Sequence, residues 1–262
     1  MTNWKYIYKQ AKDWALDAGE QIKQLMQSHI EVSSKAQPTD LVTNADKAIE
    51  QFFIANIKQH YPTHRIVGEE STNDDIMTTE GIIWFIDPID GTTNFIHQKR
   101  CFAISIGIYE EGIGKVGIIY DVMANELYHA FAGHGAFCNG RALPQLKQVA
   151  IEKSLIAMNI KCLIKKPAPM KALVDRVRGA LSLGSAAIQL AYVASGQLDA
   201  YINMKKSSWD IAAGKVLIEE VGGEVSTFSG EKINLLGKSS VFAASPGYYQ
   251  QVCALTTCTK VK

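Results

Sequence analysis

The sequence contains no apolar stretch of the roughly 20 residues that a membrane-spanning helix needs. Its first residues, Met1–Tyr6, also lack the hydrophobic region of a secretory signal peptide. We therefore expect a cytoplasmic protein with no membrane partner.

Cysteine pairs and an excess of one charge are missing as well. The five cysteines are odd in number and scattered without a CxxC pair, which argues against a disulfide framework or a zinc site and favours reduced thiols. The 27 basic and 26 acidic residues nearly cancel, so there is no charge excess of the kind that nucleic-acid binding needs. We expect no nucleic-acid partner.

The 262 residues can bury a substantial core, and their hydrophobic spacing predicts two halves. Residues 1–145 read as an α+β half: helices over 3–28 and 44–60, a polar loop over 31–42, then mostly strands. Residues 146–262 read as an α/β half, with an exposed loop over 165–169 and helices over 185–195, 210–221 and 248–258.

Residues 84–95 read WFIDPIDGTTNF and carry the most informative pattern. The apolar run 82–86 predicts a buried strand that delivers Asp87 and Asp90 into a turn. Pro88 removes a backbone donor between them, and Gly91 permits the tight backbone before residues that start helices well. Two acids beside free amides at a helix start suit a hard cation that carries a phosphate. The segment predicts Mg²⁺ held against a phosphoester.

Three further elements accompany this one: DLVTNAD at 40–46, GEES at 68–71 and WDIAAG at 209–214. Together, and in this order, the four elements resemble those of the inositol monophosphatase family of magnesium-dependent, lithium-sensitive phosphatases. The resemblance implies an α+β fold, a layered αβαβα sandwich of the inositol monophosphatase/fructose-1,6-bisphosphatase type. It also implies a cofactor of two or three Mg²⁺ ions.

The resemblance further implies the metal ligands. Glu69, Asp87 and the carbonyl of Ile89 would hold the first ion. Asp87 would bridge to a second ion shared with Asp90 and Asp210, and a third, weaker ion would touch Glu69. Asp210 would come from the second half, so the site would sit between the halves.

For catalysis, the resemblance implies direct in-line attack by a water on the first metal, without a phosphoenzyme. Thr92 and Asp46, joined by a hydrogen bond, would together orient this water and take its proton, with Glu69 as a further catalytic residue. The amides of Gly91 and Thr92 would bind phosphate oxygens. Glu70 is left open between a supporting role and simple exposure.

For substrate binding, the resemblance points to eight residues: Asp90, Gly91, Thr92, Gly184, Ser185, Ala186, Asn203 and Asp210. Asn203 stands where animal-type inositol monophosphatases have a glutamate, so a polyol would be bound differently. Lys205 and Lys206 are either loop charges or attractants for a larger anion. We expect inositol 1-phosphate as the main substrate, with NADP 2′-phosphate, fructose 1,6-bisphosphate or 3′-phosphoadenosine 5′-phosphate as alternatives.

Two other classes compete with this interpretation. Asp90-Gly91-Thr92 superficially matches the D-x-D-G-T motif of haloacid-dehalogenase-type phosphatases, but there the two aspartates are two positions apart and form an aspartyl phosphate. A metal-binding regulatory protein without turnover would be expected to have lost Thr92, Asp46 or a ligand, and none is missing. The resemblance also suggests a homodimer, and the 31–42 loop could act as a lid.

Overall fold

The computed structural model describes residues 2–35, 41–70, 77–165 and 167–258. The N-terminal part contains two long helices and a short antiparallel strand pair that precedes the second helix. These elements are α1 (Trp4–Leu25), β1 (Val32–Ser34), β2 (Leu41–Thr43) and α2 (Asn44–His60). Among the described helices, none combines the length and the apolar character needed to cross a membrane.

A seven-stranded sheet forms the centre of the molecule, and its strands lie side by side in sequence order. Its first two strands are parallel and every other neighbouring pair is antiparallel. The strands are β3 (Arg65–Gly68), β4 (Ile82–Asp90), β5 (Ala103–Glu110), β6 (Ile113–Asp121), β7 (Glu126–Phe131), β8 (Ala136–Cys138) and β9 (Arg141–Ala142). The short helix α3 (Thr92–Gln98) connects β4 to β5.

A second, five-stranded sheet comes from the C-terminal half in the order β11-β10-β12-β14-β13. Its strands are β10 (Leu155–Met158), β11 (Gly179–Leu181), β12 (Ala200–Lys206), β13 (Glu224–Ser226) and β14 (Ser239–Ala244). The helices of this half are α4 (Ile160–Lys165), α5 (Pro167–Val174), α6 (Ala186–Ala194), α7 (Ser208–Glu220) and α8 (Tyr248–Cys258), and a 3-10 turn covers Ile151–Lys153.

Three apolar cores lie between the layers and hold them together. Side chains of α1 and α2 pack on one face of the seven-stranded sheet. Helices α6 and α7 fill the space between the two sheets. A third core lies under α5 and α8 on the outer face of the five-stranded sheet. This succession of helices, sheet, helices, sheet and helices is the predicted αβαβα sandwich.

Small residues let α7 approach the central sheet closely. A Cβ added at Gly107 on β5 would lie 2.5 Å from the Cβ of Ala212, and one at Gly117 on β6 would lie 2.4 Å from the carbonyl oxygen of Ala213. The alanines of the WDIAAG element therefore serve close packing, and this packing fixes where the first turn of α7 lies.

Most of the predicted elements agree with the structure, and two predicted loops do not. In the segment 31–42, β1 and β2 pair as a small ladder, while residues 36–40 lie outside the described residues, so the suggested lid stays untested. The sequence predicts an exposed loop over residues 165–169, but residue 165 ends α4 and residues 167–169 begin α5, while residue 166 lies outside the described residues. Pro167 occupies the first position of α5, where a missing N–H costs nothing, so a helix can start there.

A candidate metal and phosphate site

Strand β4 carries both aspartates of the central motif. It runs to Asp90 rather than stopping near Ile86, and its pairing with β5 shifts register between Asp87 and Asp90. Pro88 sits inside this irregularity, where its missing N–H breaks no regular ladder bond. Asp87 and Asp90 are 1% and 4% exposed, so the bulge brings two carboxyl groups into the interior.

The turn after Asp90 brings the start of α3 against the acids. Gly91 adopts φ 99°, a left-handed conformation that favours glycine, and caps α3. The hydroxyl of Thr92 lies 3.2 Å from the carbonyl oxygen of Ile89 and 3.3 Å from Oδ1 of Asp46, so it can donate its hydrogen to either. The predicted Thr92–Asp46 pair is therefore present across 46 positions of sequence.

Asp46 is fixed by the cap of α2. Its Oδ2 accepts the backbone N–H of Thr43 at 2.8 Å, and the Thr43 hydroxyl donates to the same oxygen. The side chain is 1% exposed. Burial raises the pKa of Asp46 to about 6, although the two bonds from Thr43 oppose the shift. A carboxyl group with a pKa near neutrality suits proton transfer at physiological pH.

Asp210 reaches the same place from the other half of the chain. It lies in the first turn of α7, where its Oδ2 accepts the N–H of Ser207 at 2.7 Å. Asp87, Asp90 and Asp210 each place one carboxylate oxygen within 4.8 Å of the other two. The acids that the sequence predicted to share metals thus converge.

The buried carboxyl groups of the cluster repel one another when they are ionised. Burial raises the pKa of Asp87 well above its usual range, and the carboxyl groups of Glu69, Asp90 and Asp210 raise it further. Burial also raises the pKa of Asp90 to about 6, although the Lys206 ammonium opposes this shift. Buried like charges this close need compensating positive charge.

Lys206 supplies part of this compensation. Its Nζ lies 2.8 Å from Oδ1 of Asp210 and 4.0 Å from Oδ1 of Asp90. Burial works against the charged form, but Asp210, Tyr201 and Asp90 together outweigh it, and the pKa of Lys206 is raised. Of the two readings left open for this residue, the structure excludes a free loop charge. Lys205, its neighbour, is exposed.

A second lysine, Lys35, binds the acids that follow β3. Its Nζ lies 2.8 Å from Oε1 of Glu69 and 2.6 Å from Oε1 of Glu70. Burial raises the pKa of Glu70 to about 7, against the effect of the bond from Lys35. Glu70 is thus partly buried and paired, which answers the question left open for it. Ser71, the last residue of the GEES element, lies outside the described residues, as does Asp40.

Residues 184–187, at the start of α6, support Asp90 from the second half of the chain. The Ser185 hydroxyl and the N–H of Ala187 both donate to Oδ2 of Asp90, the latter at 2.7 Å. Gly184, at φ 86°, lines the acidic cavity, whereas Ala186 is buried in the core. Helix α6 therefore begins directly at a ligand candidate, which the sequence pattern did not indicate.

Both polar atoms of the Asn203 side-chain amide form hydrogen bonds to residues two positions away on the same strand. Nδ2 donates to the Tyr201 hydroxyl at 3.0 Å, and Oδ1 accepts the N–H of Lys205 at 3.2 Å. The side chain is buried and does not line the acidic cavity. Its predicted contact with substrate stays a prediction.

The resulting cavity, of about 170 Å³, is strongly polar. Four carboxyl groups and one ammonium group line it, together with residues at the starts of α3 and α6. The lining residues are Leu41, Glu69, Asp87, Asp90, Gly91, Thr92, Thr93, Gly184, Lys206 and Asp210. An all-oxygen set with surplus negative charge matches the ligands that hard divalent cations take, so these residues fit Mg²⁺.

Comparison with known proteins agrees with this geometry. The family model for the inositol monophosphatase family matches residues 3–260. The chain belongs to this family. Inositol-1-monophosphatase of Bacillus subtilis is 48% identical over 256 residues, which cover 96% of this chain and 97% of that protein.

Solved structures of family members superpose closely on this chain. SaIMPase-II bound to inositol monophosphate matches with a TM-score of 0.86 at 39% identity, covering 95% of this chain and 92% of that one. An IMPase/NADP phosphatase complexed with Mg²⁺ and phosphate matches with a TM-score of 0.90 at 28% identity, covering 97% and 96%. This chain therefore has the predicted fold and, as a member of this family, is a phosphoric monoester hydrolase.

Proposed function

We propose that this enzyme hydrolyses inositol 1-phosphate, with broad specificity toward related small phosphate monoesters, in a reaction that requires Mg²⁺. The observation that carries the proposal is the convergence of Asp87, Asp90 and Asp210, whose carboxylate oxygens lie within 4.8 Å of one another. Beside them, Thr92 and Asp46 form the pair that a hydrolytic water needs.

The proposed ligand sets follow the family resemblance, and the convergence of Asp87, Asp90 and Asp210 supports one of them. Glu69, Asp87 and the carbonyl of Ile89 would hold one Mg²⁺, and Asp87, Asp90 and Asp210 would hold a second. A third, weaker ion would touch Glu69. Bound Mg²⁺ neutralises phosphate oxygens, lowers the pKa of water and stabilises the leaving oxygen.

The remaining steps belong to protein groups. The hydroxyl of Thr92 orients the attacking water and accepts its proton while it passes its own proton to Oδ1 of Asp46, whose pKa is raised to about 6 by burial. The amides of Gly91 and Thr92 at the start of α3 bind phosphate oxygens and hold the ester in line. No side chain becomes phosphorylated.

A second substrate class is NADP 2′-phosphate. Lys206 lies at the cavity wall and offers a positive charge to a second anionic group of a larger substrate. The IMPase/NADP phosphatase that superposes on this chain supports the same extension. Fructose 1,6-bisphosphate and 3′-phosphoadenosine 5′-phosphate are the other candidates. A regulatory role without turnover is disfavoured because Asp46, Thr92 and the ligand acids are all in place.

The test is phosphate release from inositol 1-phosphate, NADP, fructose 1,6-bisphosphate and 3′-phosphoadenosine 5′-phosphate, with and without Mg²⁺ and Li⁺. We expect Mg²⁺-dependent release that is greatest for inositol 1-phosphate and is inhibited by Li⁺. Asp210→Asn serves as the inactive control. Release without Mg²⁺, or a borohydride-reducible acyl phosphate, would contradict the proposed chemistry.

The assembly and location are proposed on the same family basis: a cytoplasmic homodimer with small phosphorylated metabolites as its partners. Light scattering on the purified chain measures its mass in solution. A mass equal to the 28.8 kDa of one chain at micromolar concentration would refute the dimer.

A further inference from the structure

Glu50 is a buried acid on α2 to which neither the motifs nor the proposed mechanism gives a role. It lies one helical turn after Asp46, on the same face of the helix, and both side chains are 1% exposed. An acid is rarely buried to this degree unless it is paired or performs a specific task.

The carboxyl group of Glu50 touches the chain on both sides of Glu69. Its Oε2 accepts the backbone N–H of Glu70 at 2.8 Å. It also lies directly against Gly68, where an added Cβ would be 2.5 Å from Oε2 and 2.6 Å from Cδ. Residue 68 must therefore lack a side chain for the carboxyl group to sit where it does.

Packing alone does not account for an acid at this position. The second oxygen, Oε1, is buried, and no group in the described part of the chain donates a hydrogen bond to it. An unsatisfied buried polar atom destabilises the fold, because no hydrogen bond offsets the loss of its hydration. A methionine would fill a similar volume without this cost, so the carboxylate is better explained by what Oε2 holds.

The contacts of Glu50 with both neighbours of Glu69 constrain the backbone from which the Glu69 side chain projects. Glu69 lines the acidic cavity, where its carboxylate is also bonded by Lys35. Because Asp46 and Glu50 lie on one helix, α2 determines the position of Glu69 relative to the Thr92–Asp46 pair. Partners of this kind, one contact removed from a ligand, control ligand orientation and metal affinity.

We propose that Glu50 is a positioning residue that aims Glu69 at the divalent cation. This inference rests on the proposed function, since it assumes that Glu69 is a ligand. It predicts that Glu50 affects cation affinity itself and not only the stability of the fold.

The experiment measures Mg²⁺ binding to the full chain by titration calorimetry without substrate, at a temperature where far-ultraviolet circular dichroism shows each variant folded. We expect Glu50→Ala to weaken Mg²⁺ binding about tenfold or more, the size of effect that such supporting partners have. Glu50→Gln keeps an oxygen that can accept the Glu70 N–H, so its affinity should stay within about threefold of the wild type.

Ile57→Val is the matched control, because it removes one buried methyl group farther along the same helix and so destabilises the fold away from residues 68–70. It should lower the melting temperature and leave Mg²⁺ affinity unchanged. Wild-type affinity in Glu50→Ala, or equal losses in Glu50→Ala and Glu50→Gln, would overturn the inference.

If Glu50→Ala does not fold, Gly68→Ala tests the same contact, because its methyl group must displace the Glu50 carboxyl group. Unchanged Mg²⁺ affinity in Gly68→Ala would also overturn the inference. A wild-type enzyme that releases phosphate with Mg²⁺ while Glu50→Ala binds the ion normally would refute only the role of Glu50. A wild type that neither binds Mg²⁺ nor hydrolyses phosphoesters would refute the proposed function and this inference with it.

Discussion

Replacing Lys206 by methionine tests whether its ammonium group competes with Mg²⁺ for the carboxylates. The Nζ lies 2.8 Å from Oδ1 of Asp210, and both side chains are partly buried, at 22% and 12% exposure. A divalent cation that binds Asp210 must displace this ammonium. Lys206→Met removes the competitor and keeps an unbranched side chain of similar length, so we expect tighter Mg²⁺ binding.

The magnitude follows from the burial of the pair. At an effective dielectric constant of about 20, two unit charges at this distance attract by about 6 kcal/mol. The free-energy cost of desolvating both groups cancels most of this attraction. Because the pair is only partly buried, its net stabilisation is about 1–2 kcal/mol. That free energy corresponds to about 5- to 30-fold tighter Mg²⁺ binding.

Titration calorimetry of Mg²⁺ without substrate measures this change, and Lys205→Met is the matched control. Lys205 is exposed and its replacement removes the same charge, so general electrostatics would shift both variants equally. In the presence of a chelator, Lys206→Met should melt about 2–8 °C lower than the wild type, because the acids lose their counter-charge. Equal Mg²⁺ affinities in the two variants, or weaker binding in Lys206→Met, would refute the reasoning.

Asp46→Asn should lower kcat about 100-fold while Mg²⁺ affinity changes little, and wild-type kcat in this variant would contradict the proposed proton transfer. Because burial raises the pKa of Asp46 to about 6, wild-type kcat/KM should fall tenfold per unit below that pH, as the protonated carboxyl group can no longer accept a proton. From about pH 4 to 6 the folded state holds this proton and the unfolded state has released it, so the free energy of unfolding should decrease as pH rises. Denaturant titrations of Asp46→Asn should show a smaller decrease over the same range. Asn203→Glu should raise the kcat/KM ratio of inositol 1-phosphate to NADP, and an unchanged ratio would remove Asn203 from the specificity residues. Gly107→Ala should cost about 2 kcal/mol in thermal unfolding, because its methyl group would meet Ala212 at 2.5 Å, and an unchanged melting temperature would show that α7 can shift.

The sequence predicted the fold and the acid cluster because the chemistry is concentrated in short elements. Asp87 and Asp90 follow an apolar run, and the strong period change along the chain separates helices from strands. The pairing of Thr92 with Asp46 and the arrival of Asp210 were available only through the resemblance of four elements to one family. Periodicity alone cannot bring positions 46, 92 and 210 together.

The charges that balance the acids escaped prediction for a physical reason. Lys35 and Lys206 are long side chains whose direction depends on tertiary contacts, so nothing in their local sequence distinguishes them from surface lysines. Glu50 did have a signal, since it follows Asp46 by one helical turn and lies among apolar positions of α2. The two misjudged loops were short polar segments, where local propensity is weakest and neighbouring elements decide the structure.

The bond network around Asp90 has a consequence for synthesis of the chain. Its carboxylate is held by Ser185 and Ala187, and Asp210 arrives later still, so a nascent polypeptide that has folded only its first sheet has no complete reaction centre. We therefore expect phosphatase activity only after α6 and α7 have docked on the first sheet. Chains truncated before α6 are expected to lack phosphatase activity.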